Sequence, residues 1–259
     1  MKILARNDAM QMLNKVPEVT LYFWIIKIMA TTVGETGADF LNFNLNFGLT
    51  GTSLVMAGLL AVSLFVQLRA RKYVPWLYWV NVVLISIVGT LITDNLVDNF
   101  GVALEATTAA FGTALLATFA LWYASEKTLS IHSIFTTRRE LFYWAAILFT
   151  FSLGTAAGDL VAESMKLGYA NSALMFGALI AAVTVAYYGF KANAVPAFWI
   201  AYVLTRPLGA SCGDWLSQPI ANGGLGLGTV TTSLIFLATI LGLVAFLSVT
   251  RKDVIPRRA

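Results

Sequence analysis

Four aspartates in this sequence of 259 residues occur at a fixed distance from four tryptophans. Each aspartate follows its tryptophan by fifteen residues, and the pairs are Trp24–Asp39, Trp79–Asp94, Trp144–Asp159 and Trp199–Asp214. Carboxylate oxygens are hard ligands that suit Mn²⁺, Mg²⁺, Ca²⁺ or Na⁺ better than copper or zinc. We therefore expect the four aspartates to be ligands of a small cation, with the tryptophans lining the same path.

Three further charged residues, Lys27, Glu35 and Arg206, lie inside stretches that are otherwise apolar. Glu35 and Asp39 are one helical turn apart, about 6 Å along a helix. Two such carboxylates resist ionising together unless a cation or a proton lies between them. We expect Glu35 to be the centre of the cation site, with Asp39 and Thr31 beside it and with Lys27 and Arg206 as the countercharges that occupy its acids when the cation is absent. The alternative is a static Lys–Glu or Arg–Glu pair that locks helices together.

The counts of cysteine and histidine exclude several other kinds of site. The one cysteine, Cys212, excludes a disulfide framework and a CxxC metal site. The one histidine, His132, excludes a histidine-rich metal site and leaves no spare histidine for a Ser-His-Asp triad. We therefore expect no enzyme activity and no covalently bound cofactor, and a divalent cation or Na⁺ enters only as a substrate.

The composition is that of a membrane protein. Hydrophobic residues make up 58% of the chain and charged residues 12%, against about 45–50% and about 25% in soluble domains. This balance excludes a soluble globular protein, a disordered chain and a nucleic-acid-binding protein. Stretches of about 20 apolar residues can span a bilayer. Eight stretches qualify: Val19–Phe40, Thr50–Leu68, Val74–Leu96, Val102–Ala124, Leu141–Leu160, Ser172–Phe190, Val195–Leu216 and Thr229–Val249.

Positively charged residues predict the orientation of these spans. Of the 17 lysines and arginines, 14 lie in segments on one side and only Lys166 lies in a segment on the other. The positive-inside rule then places both termini in the cytoplasm. Met1–Lys15 has no apolar run followed by a cleavage site, so we expect it to remain in the mature chain as an interfacial segment. Membrane lipids are expected partners, and a homo-oligomer is left open.

The tryptophans also mark an internal repeat. Successive tryptophans are 55, 65 and 55 residues apart, an aromatic residue precedes each one, and a glycine follows each by ten residues. Each repeat contains two spans, so all four repeats point the same way across the membrane. The predicted architecture is an all-α bundle of eight helices, arranged as four parallel two-helix repeats with pseudo-fourfold or nested twofold symmetry. Residues 1–124 and 141–259 form its halves, and residues 125–140 form a cytoplasmic linker.

The start of the first repeat resembles a known family. Lys15-Val16-Pro17-Glu18-Val19-Thr20 is followed by Phe23-Trp24, Lys27, Thr31-Thr32 and Gly34-Glu35. With four tandem two-helix repeats, this segment resembles a family of bacterial inner-membrane proteins known mainly as a repeat of unknown function. The resemblance covers nearly the whole chain. It implies the fold and a location in the bacterial inner membrane, and it implies no substrate.

The polar positions of each repeat fall on one helical face. The tryptophan and the residues 3, 4, 7, 11, 14 and 15 positions later share a broad side of an α-helix. Lipid cannot solvate such a face, so we expect the four odd-numbered spans to line a common interior with an acidic external end. Three interpretations without a cation site remain: the tryptophans form an interfacial belt, the aspartates only cap helix ends, and the glycines only permit close packing.

These features favour a secondary transporter for a small cation. The specific forms are efflux of a hard divalent metal such as Mn²⁺, and transport of a solute coupled to protons or a cation. An ion channel with the same lining is the alternative. An intramembrane aspartyl enzyme is less favoured, because it needs two dedicated aspartates that share a proton, whereas aspartate recurs here in all four repeats.

Overall fold

The computed structural model describes residues 14–44 and 48–254, which form eight long helices. In chain order these are α1 Leu21–Asn44, α2 Gly48–Arg69, α3 Pro75–Asp94, α4 Leu104–Glu126, α5 Thr137–Asp159, α6 Tyr169–Phe190, α7 Ala194–Ser217 and α8 Thr229–Thr250. A π-helical turn extends α3 to Asn99, and another extends α5 to Ser164. A helix occupies each of the eight predicted segments, and the described ranges contain no strand.

Six of these helices, α2 to α6 and α8, are long and apolar enough to cross a membrane. The polar residues that set the other two apart are Lys27, Glu35 and Asp39 in α1 and Arg206 and Asp214 in α7. Charged side chains lower the mean hydropathy of any segment that contains them. The chain is therefore an all-helical, multi-pass membrane protein whose two most polar helices are α1 and α7.

The odd-numbered helices form the centre of the bundle. α1 packs against α3 and α7, and α5 packs against the same two helices. The even-numbered helices lie outside them: α2 packs on α3, α4 on α5, α6 on α7 and α8 on α1. The outer helices expose large apolar side chains such as Leu54, Leu116, Leu174 and Leu241. This arrangement keeps Lys27 and Glu35 of α1 and Arg206 and Asp214 of α7 away from the apolar outer surface.

Close approach between the inner helices occurs at the glycine ten residues after each tryptophan. A Cβ atom on any of these glycines would collide with the residue seven positions after the tryptophan of the next inner helix. In chain order the pairs are Gly34–Ser86, Gly89–Phe151, Gly154–Arg206 and Gly209–Thr31. The last pair joins α7 back to α1, so the four approaches form a closed circuit. The packing role predicted for the glycines is confirmed.

An aromatic layer fills the centre of the bundle where the inner helices begin. It consists of Phe23, Trp24, Tyr78, Trp79, Tyr143, Trp144, Phe198 and Trp199. The residue before each tryptophan contacts the tryptophan of another inner helix, and the ring-centroid distances are 5.7 Å for Phe23–Trp79, 5.5 Å for Tyr78–Trp144, 6.2 Å for Tyr143–Trp199 and 5.7 Å for Phe198–Trp24. Three of the tryptophans are buried and Trp24 is half-buried. An interfacial belt would instead turn them towards lipid.

A buried ion pair holds the segment before α1 against the two halves of the chain. Lys15 Nζ donates to Glu140 Oε2 at 2.6 Å and to the carbonyl oxygen of Leu68 at 3.1 Å. Gln67 Nε2 donates to the other oxygen of Glu140 at 3.1 Å. These contacts connect the end of α2 with the start of α5. Of the predicted interfacial segment Met1–Lys15, only the last two residues are among those the structure describes.

His132 gives the same end of the bundle a weak dependence on pH. Its Nδ1 atom lies 3.3 Å from Glu18 Oε1, and this hydrogen bond raises the pKa of His132 above 6.5. The pair therefore stabilises the fold below about pH 6.5, and the contribution disappears as the pH rises through the higher folded-state pKa. We expect His132→Gln to remove this part of the difference in unfolding temperature between about pH 5.5 and about pH 8.5. An unchanged difference in the variant would contradict the assignment.

Candidate cation site

Arg206 connects the four inner helices at the centre of the bundle. It projects from α7 and is fully buried. Its Nη1 atom donates to the carbonyl oxygen of Thr31 at 2.8 Å, and Nη2 donates to Glu35 Oε2 at 3.0 Å and to Thr155 Oγ1 at 2.7 Å. Nη2 also donates to Thr90 Oγ1. Arg206 was expected to find an acidic partner on another helix, and that partner is Glu35 of α1.

Three carboxylates meet beside this guanidinium. Oxygen atoms of Glu35, Asp159 and Asp214 all lie within 4.8 Å of one another. The three residues come from α1, the end of α5 and α7. Glu35 is 6% exposed and Asp214 is 7% exposed, whereas Asp159 is half-buried. We name these three residues the acidic cluster.

The other two predicted ligands lie beside the acidic cluster. Asp39 is close enough to Glu35 for their charges to interact, and Asp94 is close enough to both Glu35 and Asp159. Both aspartates are half-buried. Spacing along one helix predicted Asp39 as the neighbour of Glu35, but Asp159 and Asp214 complete the cluster because side chains from different inner helices converge there.

Thr31 contributes to the site by holding Arg206. Its hydroxyl donates to the carbonyl oxygens of Ile28 at 2.5 Å and Thr205 at 3.3 Å. Its own carbonyl oxygen accepts the hydrogen bond from Arg206 Nη1. The side chain thus fixes α1 against α7, and a direct contact between Thr31 and a cation stays a prediction.

Among the described residues Lys27 forms no ion pair with a carboxylate, and its role as a countercharge to the acids stays a prediction. Its ammonium nitrogen lies 4.0 Å from the ring centroid of Phe151 and 4.3 Å from that of Tyr202. Glu35 is eight residues farther along α1, about 12 Å away on the helix axis. The partners that Lys27 finds on other helices are therefore aromatic faces.

The four tryptophans lie at the other end of the inner helices from the acidic cluster. Fifteen residues of helix separate each one from its aspartate, about 22 Å. They belong to the aromatic layer, where the indole Nε1 of Trp199 donates to the carbonyl oxygen of Leu129 at 2.9 Å. The structure therefore does not bring Trp24, Trp79, Trp144 or Trp199 to the acids, and any contact of these residues with a substrate stays a prediction.

Thr90 and Thr155 are contacts of Arg206 that the sequence did not predict. Both lie eleven residues after their tryptophan, as Glu35 does, so the repeat aligns all three. Their hydroxyls lie 3.4 Å apart, and that of Thr90 also lies 3.4 Å from Glu35 Oε2. The repeat register was a usable signal for them, but the reach of Arg206 across the bundle was not visible in it.

The charges of the acidic cluster are not balanced by its neighbours. The guanidinium of Arg206 contacts one of the three carboxylates, that of Glu35, and Asp39 and Asp94 add further negative charge nearby. Acids this close do not all ionise in a buried setting unless a cation or protons compensate them. Their oxygens suit a hard cation such as Mn²⁺, Mg²⁺, Ca²⁺ or Na⁺.

Comparison with known proteins adds a family to this geometry. The family model described as Repeat of Unknown Function (DUF347) matches the chain four times in tandem, at residues 22–73, 77–128, 142–193 and 197–253. Each match begins two residues before one of the four repeated tryptophans. No curated protein and no solved structure matches the chain.

Proposed function

The chain belongs to the DUF347 repeat family, and we propose that it is a secondary transporter for a small, hard cation. Efflux of a divalent metal such as Mn²⁺ is the specific form, and transport of a solute coupled to protons or a cation is the wider form. The observation that carries the proposal is the meeting of Glu35, Asp159 and Asp214 from three helices inside a multi-pass membrane protein. Such carboxylates are costly within a membrane and mark ion pathways in other proteins.

Arg206 gives this site an internal competitor for the cation. In the structure it donates hydrogen bonds to one oxygen of Glu35, to a backbone carbonyl of α1 and to threonine hydroxyls of α3 and α5. A cation that binds Oε2 of Glu35 takes the place of the guanidinium, and Arg206 returns when the cation leaves. This exchange would change the contacts among all four inner helices. Occupancy of the site and conformation of the bundle are then coupled, as a carrier requires.

Helices α1 and α7 are too polar to qualify as membrane spans by composition, and a bundle of eight spans requires both of them. α1 and α7 each contain 24 residues, about 36 Å of helix and enough to cross a bilayer. Their charged residues Lys27, Glu35, Arg206 and Asp214 are buried among other helices. Protein, and not lipid, therefore surrounds these charges, which supports a bundle of eight spans.

The contact circuits support four parallel repeats about a pseudo-fourfold axis. Glycines at one repeat position meet the same repeat position of the next inner helix, and the aromatic pairs follow the same order. An inverted repeat would instead pair opposite ends of the helices. We assign the protein to the bacterial inner membrane with both termini in the cytoplasm, as the positive charges predict.

Two alternatives are less well supported by the same geometry. A channel needs a continuous path, whereas the aromatic layer packs across the inner helices at one end of the bundle. An aspartyl enzyme needs two close aspartates, and Asp159 and Asp214 meet that condition. The third carboxylate, Glu35, and its contact with Arg206 favour a cation over a proton shared by two aspartates alone.

The test is cation flux through the purified protein. Protein reconstituted into vesicles that contain a trapped metal-sensitive fluorophore should admit Mn²⁺ faster than empty vesicles do. Because the ligands are hard oxygens, Cu⁺ should neither be transported nor compete. Vesicles that show no flux of Mn²⁺, Mg²⁺, Ca²⁺ or Na⁺ with or without a proton gradient would overturn the proposal.

The orientation of the spans is checked separately by reporter fusions. Fusions after Lys166 should report an external position, and fusions after Lys127 and Lys191 an internal one, because lysine and arginine concentrate on the internal side. Activities of a periplasmic and a cytoplasmic reporter enzyme give the measurement. Opposite readings at two of the three positions would remove both the eight-span topology and the parallel repeats.

A further inference from the structure

Lys27 is a buried amine without an acceptor for its hydrogen bonds. Its side chain is 0% exposed, and Nζ finds no hydrogen-bond partner among the described residues. It lies against the faces of Phe151 and Tyr202. Ring faces attract an ammonium group but accept its N–H bonds only weakly. Lys27 thus retains donors that these contacts do not satisfy.

Two other donors in the same region share this condition. The hydroxyl of Tyr202 and Nε of Arg206 are buried and have no hydrogen-bond partner in the part of the chain described. Lys27 and Arg206 contact the same Phe151 ring, at 4.0 Å and 5.6 Å from its centroid. The charged group that shares this ring with Lys27 is therefore the guanidinium of Arg206, which is also a cation. Buried donors are satisfied in most proteins, so three together point to a missing acceptor.

The acidic cluster cannot supply that acceptor. Glu35 lies eight residues beyond Lys27 on α1, about 12 Å along the axis. Its Oε2 atom is already occupied by Arg206 Nη2. On the opposite side of Lys27 lies the aromatic layer, in which Tyr78 and Tyr143 use their hydroxyls on each other at 2.5 Å. The described residues give these three donors no hydrogen bond, and an acceptor from outside the chain would supply one.

We propose that Lys27, the hydroxyl of Tyr202 and Nε of Arg206 bind a small monovalent anion between the aromatic layer and the acidic cluster. The anion is a halide or the carboxylate of a small solute, because both accept hydrogen bonds from charged donors. Charge-assisted donors of this kind give the strong hydrogen bonds that anion recognition uses. The site shares Arg206 with the contact to the acidic cluster, but anion binding is measured without cation flux.

The test measures anion binding to the full-length protein in detergent. Sulfate is replaced stepwise by bromide or by acetate at constant ionic strength, and thermal unfolding is followed by tryptophan fluorescence. A bound anion raises the unfolding temperature in a saturable way. A response to bromide alone identifies an inorganic halide, a response to acetate alone identifies a carboxylate, and a response to both identifies a site that accepts either.

Matched variants assign the response to Lys27. Lys27→Gln should weaken anion affinity at least about tenfold, because it removes a charged donor. Lys72→Gln makes the same change at an exposed lysine and should keep the wild-type response. Tyr202→Phe keeps the ring beneath Lys27 and removes only the hydroxyl, so it should weaken anion binding less than Lys27→Gln does. If Lys27→Gln does not fold, the anion affinity of Tyr202→Phe tests the site instead.

Two results would overturn the proposal. One is an unfolding temperature of the wild-type protein that does not change in a saturable way with either anion. The other is the same saturable response in Lys27→Gln or Tyr202→Phe as in the wild type. Either result would mean that ring faces alone hold Lys27. Because this readout is binding, it separates the anion site from any failure of cation transport.

Discussion

Glu35→Gln should abolish cation transport and leave the protein folded. The substitution removes one of three converging carboxylates, and loss of a mere supporting residue at metal sites already costs about 10–100-fold. We therefore expect the affinity for Mn²⁺ to fall by at least about 100-fold. Binding is measured by the rise of the unfolding temperature with Mn²⁺, and transport by flux into vesicles.

The fold should tolerate this change for two reasons. The amide oxygen of glutamine still accepts a hydrogen bond from Arg206 Nη2, which in the wild type lies 3.0 Å from Glu35 Oε2. The neutral side chain also relieves repulsion with Asp159 and Asp214. Glu35→Ala offers no acceptor and should lower stability by roughly 3–5 kcal/mol, since it leaves a buried guanidinium unpaired.

Glu105→Gln provides the matched control. Glu105 is an exposed acid at the start of α4, so the same chemical change there should leave flux unaltered. A folded Glu35→Gln protein with a normal rate of flux would defeat the assignment of Glu35. A Glu35→Gln protein that fails to fold while Glu105→Gln folds would instead support a static ion pair between Arg206 and Glu35.

The helices were predictable because each has to satisfy the bilayer by itself. About 20 apolar residues suffice to identify a span, and helices occupy all eight predicted segments. The repeat was equally visible, since Trp, Gly and Asp keep their spacing in four copies. The small shifts at the ends have local causes, such as the hydroxyl of Thr136, which accepts from Arg139 N and starts α5 earlier than predicted.

Contacts between helices were less predictable from spacing. The sequence indicated which residues share a face but not which face of which neighbour they meet. Lys27 and Arg206 looked alike as buried cations, yet one reaches a carboxylate and the other two aromatic rings. Arginine has a longer side chain with branched donors, and Arg206 lies seven residues after the tryptophan of the fourth repeat. These two features explain why Arg206 reaches a carboxylate and Lys27 does not.

The acidic cluster shows the same limit. The sequence identified five acids as candidate ligands, and the spacing of one helical turn favoured Asp39 as the neighbour of Glu35. In the bundle α7 packs against both α5 and α1, and Asp159 and Asp214 therefore complete the cluster with Glu35. Only knowledge of which inner helices are neighbours could have selected them.

Gly209→Ala should destabilise the protein although alanine is the better helix former. The new Cβ atom would collide with the side chain of Thr31 and lie 3.2 Å from the backbone nitrogen of Thr32. α1 and α7 would then have to separate beside Arg206 and Glu35. Overpacking of this kind costs about 1–3 kcal/mol, which exceeds the gain of roughly 1 kcal/mol in helix propensity.

Gly58→Ala is the matched control, because Gly58 lies in α2 and no atom lies within 4 Å of its added Cβ. It should leave the unfolding temperature unchanged or raise it. In the Gly209→Ala background, Thr31→Gly removes the side chain that the new methyl group meets first, so the two changes together should cost less than their sum. If Gly209→Ala unfolds at the wild-type temperature, or if the double variant shows simple additivity, α1 and α7 do not meet at this glycine and the closed circuit of inner helices is broken at its last step.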